Sequence, residues 1–167
     1  MEHPVWFLPV DNAKGQLVLT PCPGTKGVSL DASLQQLKQQ GVKAIVTALS
    51  QAELESKGVG LLGEKAQELG IKWFSLPIDD DAVPDEHFVT QWQAVSSQLH
   101  QVIENQDNVM LHCMGGSGRT GLLAAHLLLE YGWNIDTIIE QVQALRPNAF
   151  THADQQHYVQ QLANVKQ

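Results

Sequence analysis

The stretch His112-Cys113-Met114-Gly115-Gly116-Ser117-Gly118-Arg119-Thr120-Gly121 constrains this chain more than any other. Ahead of it, Asn108-Val109-Met110-Leu111 reads as a buried strand. Behind it, residues 122–129 (Leu-Leu-Ala-Ala-His-Leu-Leu-Leu) read as a strongly apolar helix. Strand, glycine-rich turn and helix is the arrangement that aims backbone N–H groups and a positive helix end at an anion. A chain carrying it must bury the strand in a sheet and pack the helix over that sheet.

Five residues separate Cys113 from Arg119, enough to wrap one tetrahedral oxyanion. Gly115, Gly116 and Gly118 are expected to supply positive φ and close backbone approach. The N–H groups of Met114, Gly115, Gly116, Ser117, Gly118 and Arg119 would then face the ligand. A free thiol titrates at about 8.5, and a helix N-terminus with cations nearby favours its anion, the nucleophilic form. Arg119 offers a planar fork that matches two phosphate oxygens. Thr120 can donate its hydroxyl to the Cys113 sulfur and help it depart in a second step. His112 is expected to bond local backbone and fix the loop rather than act as a base. Together these residues predict a cysteine-dependent phosphate-cleaving site. The plainer alternative is a glycine turn beside an inert buried cysteine.

The His-Cys-x5-Arg-Thr run resembles the phosphate-binding loop of the protein tyrosine and dual-specificity phosphatases. Within that superfamily the chain is most similar to the kinase-associated branch. Four segments carry the likeness. The first is Pro21-Cys22-Pro23-Gly24-Thr25-Lys26, with Leu34-Gln35-Gln36-Leu37, Gly41-Val42-Lys43-Ala44-Ile45-Val46 and Glu53-Leu54 after it. The second is Leu76-Pro77-Ile78-Asp79-Asp80-Asp81-Ala82-Val83-Pro84-Asp85. The third is the loop itself, and the fourth is Arg146-Pro147-Asn148-Ala149 with Ala153-Asp154-Gln155.

The resemblance implies a general-acid aspartate on a mobile loop, which falls on Asp80. Its neighbours Asp79 and Asp81 are the alternatives, because the branch more often has glycine after the acid. A positioned carboxyl protonates the leaving oxygen and later takes a proton from water. The other reading of this run is an acidic surface loop. Gln155 matches the glutamine that places the hydrolytic water, with Gln156 as the neighbouring candidate and a solvated polar residue as the alternative. No metal or organic cofactor is implied. Two further readings of the loop stay open: a non-catalytic phosphate-recognition module, and another loop-cysteine enzyme such as a sulfurtransferase or arsenate reductase.

With 167 residues, 43% hydrophobic and 17% charged, the chain is expected to form one globular domain over 1–167. No apolar run reaches the roughly 20 residues of a membrane span. The start, Met1-Glu2-His3-Pro4, has neither the basic nor the apolar part of a signal peptide. Two distant cysteines and a thiol nucleophile suggest a reducing, cytoplasmic setting. The net charge of −8 argues against nucleic acid. A loop without lysine beside Asp79-Asp80-Asp81 disfavours polyanions, so a single phosphate on a protein side chain or a small molecule is expected. The short chain, without the recognition elements of the large tyrosine-specific enzymes, points to phosphotyrosine, with phosphoserine and phosphothreonine also in range.

Strands are expected at 5–8, 16–19, 44–48, 71–76 and 108–111, the first two as a hairpin across Asp11-Asn12-Ala13-Lys14-Gly15. Helices are expected around Leu30, Leu34 and Leu37, after the capping box Ser50-Gln51-Ala52-Glu53, over 61–69, after Asp85, after Gly118, from Asn134 to Arg146, and after Thr151. The long helix after Asp85 should turn Phe88, Trp92, Val95, Leu99, Val102 and Ile103 inward, and the last should carry Tyr158, Val159 and Leu162. This alternation predicts an α/β three-layer sandwich with a central mixed, mostly parallel sheet. The site should lie beyond the carboxyl ends of its strands. Cys22 could approach Cys113 and form a reversible disulfide, or have no role. Trp6, Trp73, Trp92 and Trp133 are expected in the core, and His152 and His157 lack a third partner for a metal. Arg146 either braces the catalytic loop or caps its helix.

Overall fold

A computed structural model describes residues 1–165. Five strands form one sheet: β1 (Trp6–Pro9), β2 (Gln16–Thr20), β3 (Val42–Thr47), β4 (Lys72–Ser75) and β5 (Asn108–His112). Their spatial order is β1-β2-β5-β3-β4, with β1 antiparallel to β2 and every other pairing parallel. The central strand is therefore β5, the one that leads into the cysteine. Its apolar run Val109-Met110-Leu111 is fully buried, as a strand covered on both faces must be.

Among the described residues, seven helices cover the sheet: α1 (Leu30–Gln39), α2 (Gln51–Ser56), α3 (Leu62–Glu68), α4 (Glu86–Glu104), α5 (Gly118–Glu130), α6 (Ile135–Leu145) and α7 (Ala153–Val165). Helix α1 packs on β3 and on α3, which lies over β4. Helices α4 and α5 pack on the central strands, and α6 reaches β1. The result is the three-layer α/β architecture expected from the alternation of patterns.

Local chemistry sets the boundaries. The Ser29 side chain caps α1, Asp85 caps α4 and Asn134 caps α6, each accepting a first-turn N–H. Ser50 and Glu53 close a full capping box on α2. Gly15 is obligatory in the β1–β2 turn, since an added Cβ would stand 1.6 Å from the Asp107 carbonyl oxygen. Helix α4 buries Phe88, Trp92, Leu99, Val102 and Ile103 as its periodicity requires, while Val95 is half-buried. Helix α7 differs more. It buries Gln155, Val159 and Ala163 and leaves Tyr158 and Leu162 half-buried, because its inner face points at the start of α5 as well as the core. Of the four tryptophans only Trp92 is fully buried; Trp6, Trp73 and Trp133 lie partly exposed against the core. Among the described residues, no helix is long and apolar enough to cross a membrane.

Register then places the functional loops. Thr20, His112 and Thr47 are cross-strand partners at the carboxyl ends of β2, β5 and β3, and Ser75 pairs with Thr47 at the end of β4. Four parallel strands thus finish at one level. The four loops that leave them share one edge of the molecule.

Candidate active site

The loop after β5 curls back on its own sulfur. Gly116 N–H donates to Cys113 Sγ at 3.3 Å, and the Thr120 hydroxyl donates to the same atom at 3.1 Å. Two donors thus converge on one sulfur. Helix α5 starts at Gly118, and its N-cap Ser117 makes no side-chain capping bond. Its first-turn amides and positive end are left for the loop and whatever enters it. Only Gly116 takes the left-handed conformation (φ 80°); Gly115 and Gly118 do not, contrary to expectation. Gly118 is already the first helical residue, and a Cβ on Gly115 would meet nothing. At Gly116 a Cβ would stand 2.5 Å from Pro21 N and 2.6 Å from Thr20 C, so backbone after β2 presses directly on the loop. Cys22 N–H ties the two together, donating to the Met114 carbonyl at 3.0 Å.

His112 is fully buried, and its ring is saturated by neutral partners. Its Nδ1 faces the Cys113 carbonyl at 3.1 Å and its Nε2 meets the Thr47 hydroxyl at 2.7 Å; Trp73 Nε1–H donates to that hydroxyl at 2.8 Å. The bonds run in one direction only if Trp73 donates to Thr47, Thr47 to Nε2, and Nδ1–H to the carbonyl, which fixes the tautomer. Burial pulls the imidazole down to about 4. His112 therefore holds the loop as a neutral ring, in keeping with the role expected from sequence.

Arg119 is nearly buried and is gripped from two segments, helix α2 and the stretch after β4. Nη1 donates to Glu53 Oε1 and Oε2 at 3.1 and 2.9 Å and to the Ile78 carbonyl at 3.0 Å. Nη2 lies 3.6 Å from Asp80 Oδ1. Asp80 itself is largely exposed, and the same oxygen accepts the Asp81 N–H at 3.1 Å. Of the three consecutive aspartates, Asp80 is the one that meets the guanidinium. Asp81 adopts φ 60°, a conformation that glycine takes freely. This is the physical reason a glycine suits that position.

Gln155 is buried on α7, with Nε2 3.3 Å from where a Cβ on Gly118 would stand. Its Oε1 is buried and has no hydrogen-bond partner. Gln156 is engaged elsewhere, donating to the Phe150 carbonyl at 2.6 Å. The structure thus brings Cys113, Arg119, Thr120, Asp80 and Gln155 around one loop.

Two further residues belong to this site: Glu53, which sequence reasoning did not place there, and Arg146, for which bracing this loop was one of two expectations. Glu53 was legible only as a capping residue. It serves the cap and the Arg119 fork at once, across 66 positions of sequence. The available signal was its place just after a parallel strand whose carboxyl end had to reach the site. Arg146 closes α6 and also sends its guanidinium to the outer carbonyls of Gly115 and Gly116 at 2.8 and 3.0 Å, so both roles considered for it are filled. Cys22 is fully buried beneath the loop, its thiol pushed up to about 12 chiefly by burial and further by the charge on Cys113. Both cysteines are free.

A family model described as the DSP-PTPase phosphatase of polymorphic toxin systems (Tc-R-P) matches residues 24–133. Among curated proteins, the chain is 30% identical over 122 residues to cyclin-dependent kinase inhibitor 3 of Rattus norvegicus, covering 71% of this chain and 56% of the relative. It is 26% identical over 143 residues to the dual specificity protein phosphatase TpbA of Pseudomonas aeruginosa, covering 85% and 59%. The chain thus spans little more than half the length of these relatives. Among solved structures, kinase associated phosphatase with its catalytic-site cysteine changed to serine superposes with a TM-score of 0.86 at 23% identity, covering 99% of this chain and 97% of that one. PTPMT1 superposes at 0.73 with 17% identity over 96% of each chain. These two likenesses concern the fold. With a matching model over most of its length and a cysteine–arginine loop of this geometry, the chain belongs to the DSP-PTPase phosphatase family.

Proposed function

We propose that this chain is a phosphomonoester hydrolase that removes phosphate from phosphotyrosine, and from phosphoserine and phosphothreonine, through a cysteinyl-phosphate intermediate. The observation that carries the reading is one sulfur, Cys113 Sγ, accepting two hydrogen bonds in the same loop as an arginine clamped by Glu53. A dianionic phosphoryl group fits between the α5 N-terminus and the remaining Arg119 donors. Cys113 attacks phosphorus, and the bond to the ester oxygen breaks while Asp80 gives that oxygen a proton. Water placed by the Gln155 side chain then attacks the thiophosphate and loses its proton to Asp80. Phosphate departs, and the Cys113 anion is restored under its two donors.

The catalytic unit under this reading is one domain spanning 1–167, with a phosphorylated protein as substrate. A groove of about 400 Å³ beside the aspartate loop, lined by Ala82, Val83, Asp154, His157, Tyr158 and Gln161, has room for residues flanking a phosphorylated side chain. The acidic loop and the net charge of −8 disfavour polyanionic substrates. The need for a reduced sulfur favours a cytoplasmic setting.

Turnover of p-nitrophenyl phosphate tests the reading. Cys113→Ser should abolish turnover yet still bind phosphate. Asp80→Ala should slow release from esters with poor leaving groups by about 10²–10⁴-fold, the usual share of a general acid. Loss of neither activity in these two variants would refute the assignment. A wild-type protein that binds phosphate but never turns it over would be a recognition module instead.

A further inference from the structure

The inward aim of the loop amides requires the opposite carbonyls to be held on the outside. Peptide units that point N–H toward an anion point C=O away from it, and two of those oxygens belong to Gly115 and Gly116. Arg146 takes both, with Nη2 donating to Gly115 O at 2.8 Å and Nε to Gly116 O at 3.0 Å. Its guanidinium also lies over the Trp6 ring, 3.8 Å from the centroid. Trp6 is on β1, at the far edge of the sheet, and helix α6 packs against that strand. A cation stacked on indole with both its forward N–H groups engaged has little freedom to turn.

We propose that Trp6 and Arg146 form a brace that sets the orientation of the phosphate-binding amides, so that an aromatic residue of the first strand positions the loop through a single arginine. Neither residue is catalytic; both act through the backbone of Gly115 and Gly116. The inference deepens the phosphatase reading and rests on it only for its kinetic consequence. The brace has two requirements. The planar fork is needed because an ammonium group cannot hold both carbonyls at fixed angles. The flat ring is needed because the stack is what stops the guanidinium from swinging into solvent. Gly116 makes the loop sensitive to such support, since its left-handed backbone already lies against Thr20 and Pro21.

The test compares wild type with Arg146→Lys, Trp6→Phe and Trp6→Ala. It reads amide hydrogen exchange of residues 114–119, the inhibition constant of inorganic phosphate, and kcat and KM for p-nitrophenyl phosphate, at a temperature far below every melting point. Arg146→Lys, which keeps the charge and loses the fork, should speed exchange of the loop amides and weaken phosphate by about tenfold, the scale of one charge-assisted hydrogen bond. KM should rise more than kcat falls. Trp6→Ala should move the same observables in the same direction, and Trp6→Phe should recover most of the loss. The Arg146→Lys, Trp6→Ala double variant should be little worse than Arg146→Lys alone, because both changes release one clamp. Loop exchange and phosphate affinity unchanged in Arg146→Lys would overturn the brace, even if the melting temperature fell. A wild type that neither binds nor hydrolyses phosphate would refute the functional reading instead, while the exchange comparison would still decide the brace.

Discussion

At the scale of single residues, Cys113, Arg119 and Thr120 stand within eight positions, and the Thr120 hydroxyl lies 3.1 Å from the sulfur. The glycines were read too uniformly. A sequence shows where a side chain is missing, but only the fold shows that Thr20 and Pro21 crowd Gly116 and leave Gly115 open. A sharp contrast follows. Gly116→Ala should reduce phosphate binding by more than tenfold, since a Cβ there overlaps backbone and the left-handed conformation adds roughly 1–2 kcal/mol. Gly115→Ala should leave the fold intact and cost far less. Inhibition by inorganic phosphate with circular dichroism as the control separates the two. The two glutamines separate in the same way. Gln155→Ala should slow hydrolysis of the phosphorylated enzyme, seen as a burst of p-nitrophenol followed by a slower steady state. Gln156→Ala should show no burst, because that side chain is spent on the Phe150 carbonyl.

At the scale of elements, the lesson lies in α2. Its capping box was plain in sequence, and the box is present. The same Glu53 carboxylate, however, faces away along the chain to Arg119, and a pairing across 66 positions leaves no local trace. Trp6 escaped for the same reason: its partner, Arg146, stands on another element. The double duty of Glu53 can be separated experimentally. Losing an N-cap partner costs about 1 kcal/mol of stability. Releasing a nearly buried guanidinium should in addition raise KM for an aryl phosphate by about tenfold in Glu53→Ala. Ser50→Ala removes the cap alone, and should lower the melting temperature with KM unchanged. Equal KM values in the two variants would reduce Glu53 to a helix cap.

At the scale of the whole molecule, the alternation of strand and helix patterns sufficed to place a mixed sheet and its site beyond the carboxyl ends, because right-handed parallel crossovers leave few other solutions. The strand order β1-β2-β5-β3-β4 was not legible; it depends on which apolar strand is buried deepest, and β5 takes the middle. The buried relay through that strand makes stability depend on pH. In the unfolded chain His112 titrates at its ordinary 6.5, while in the fold burial holds it at about 4. The unfolded state therefore binds the extra proton between those values. The contribution is fully present above pH 6.5 and is lost as pH falls toward 4, by roughly 3 kcal/mol. Burial lowers His3 as well and steepens the same slope. Urea unfolding from pH 7 to pH 4 should follow this fall, and His112→Asn should flatten it; an equally steep slope in that variant would shift the cause to carboxylates.

The grip on Arg119 also has a mechanical consequence. One guanidinium joins the segments that follow β3, β4 and β5, so an oxyanion seated on its free donors fastens three stretches of chain at one point. Tungstate at a hundred times its dissociation constant should stabilise the protein by about 2.7 kcal/mol through mass action alone. The same oxyanion should slow proteolytic nicking around Asp79, Asp80 and Asp81, a stretch it need not touch.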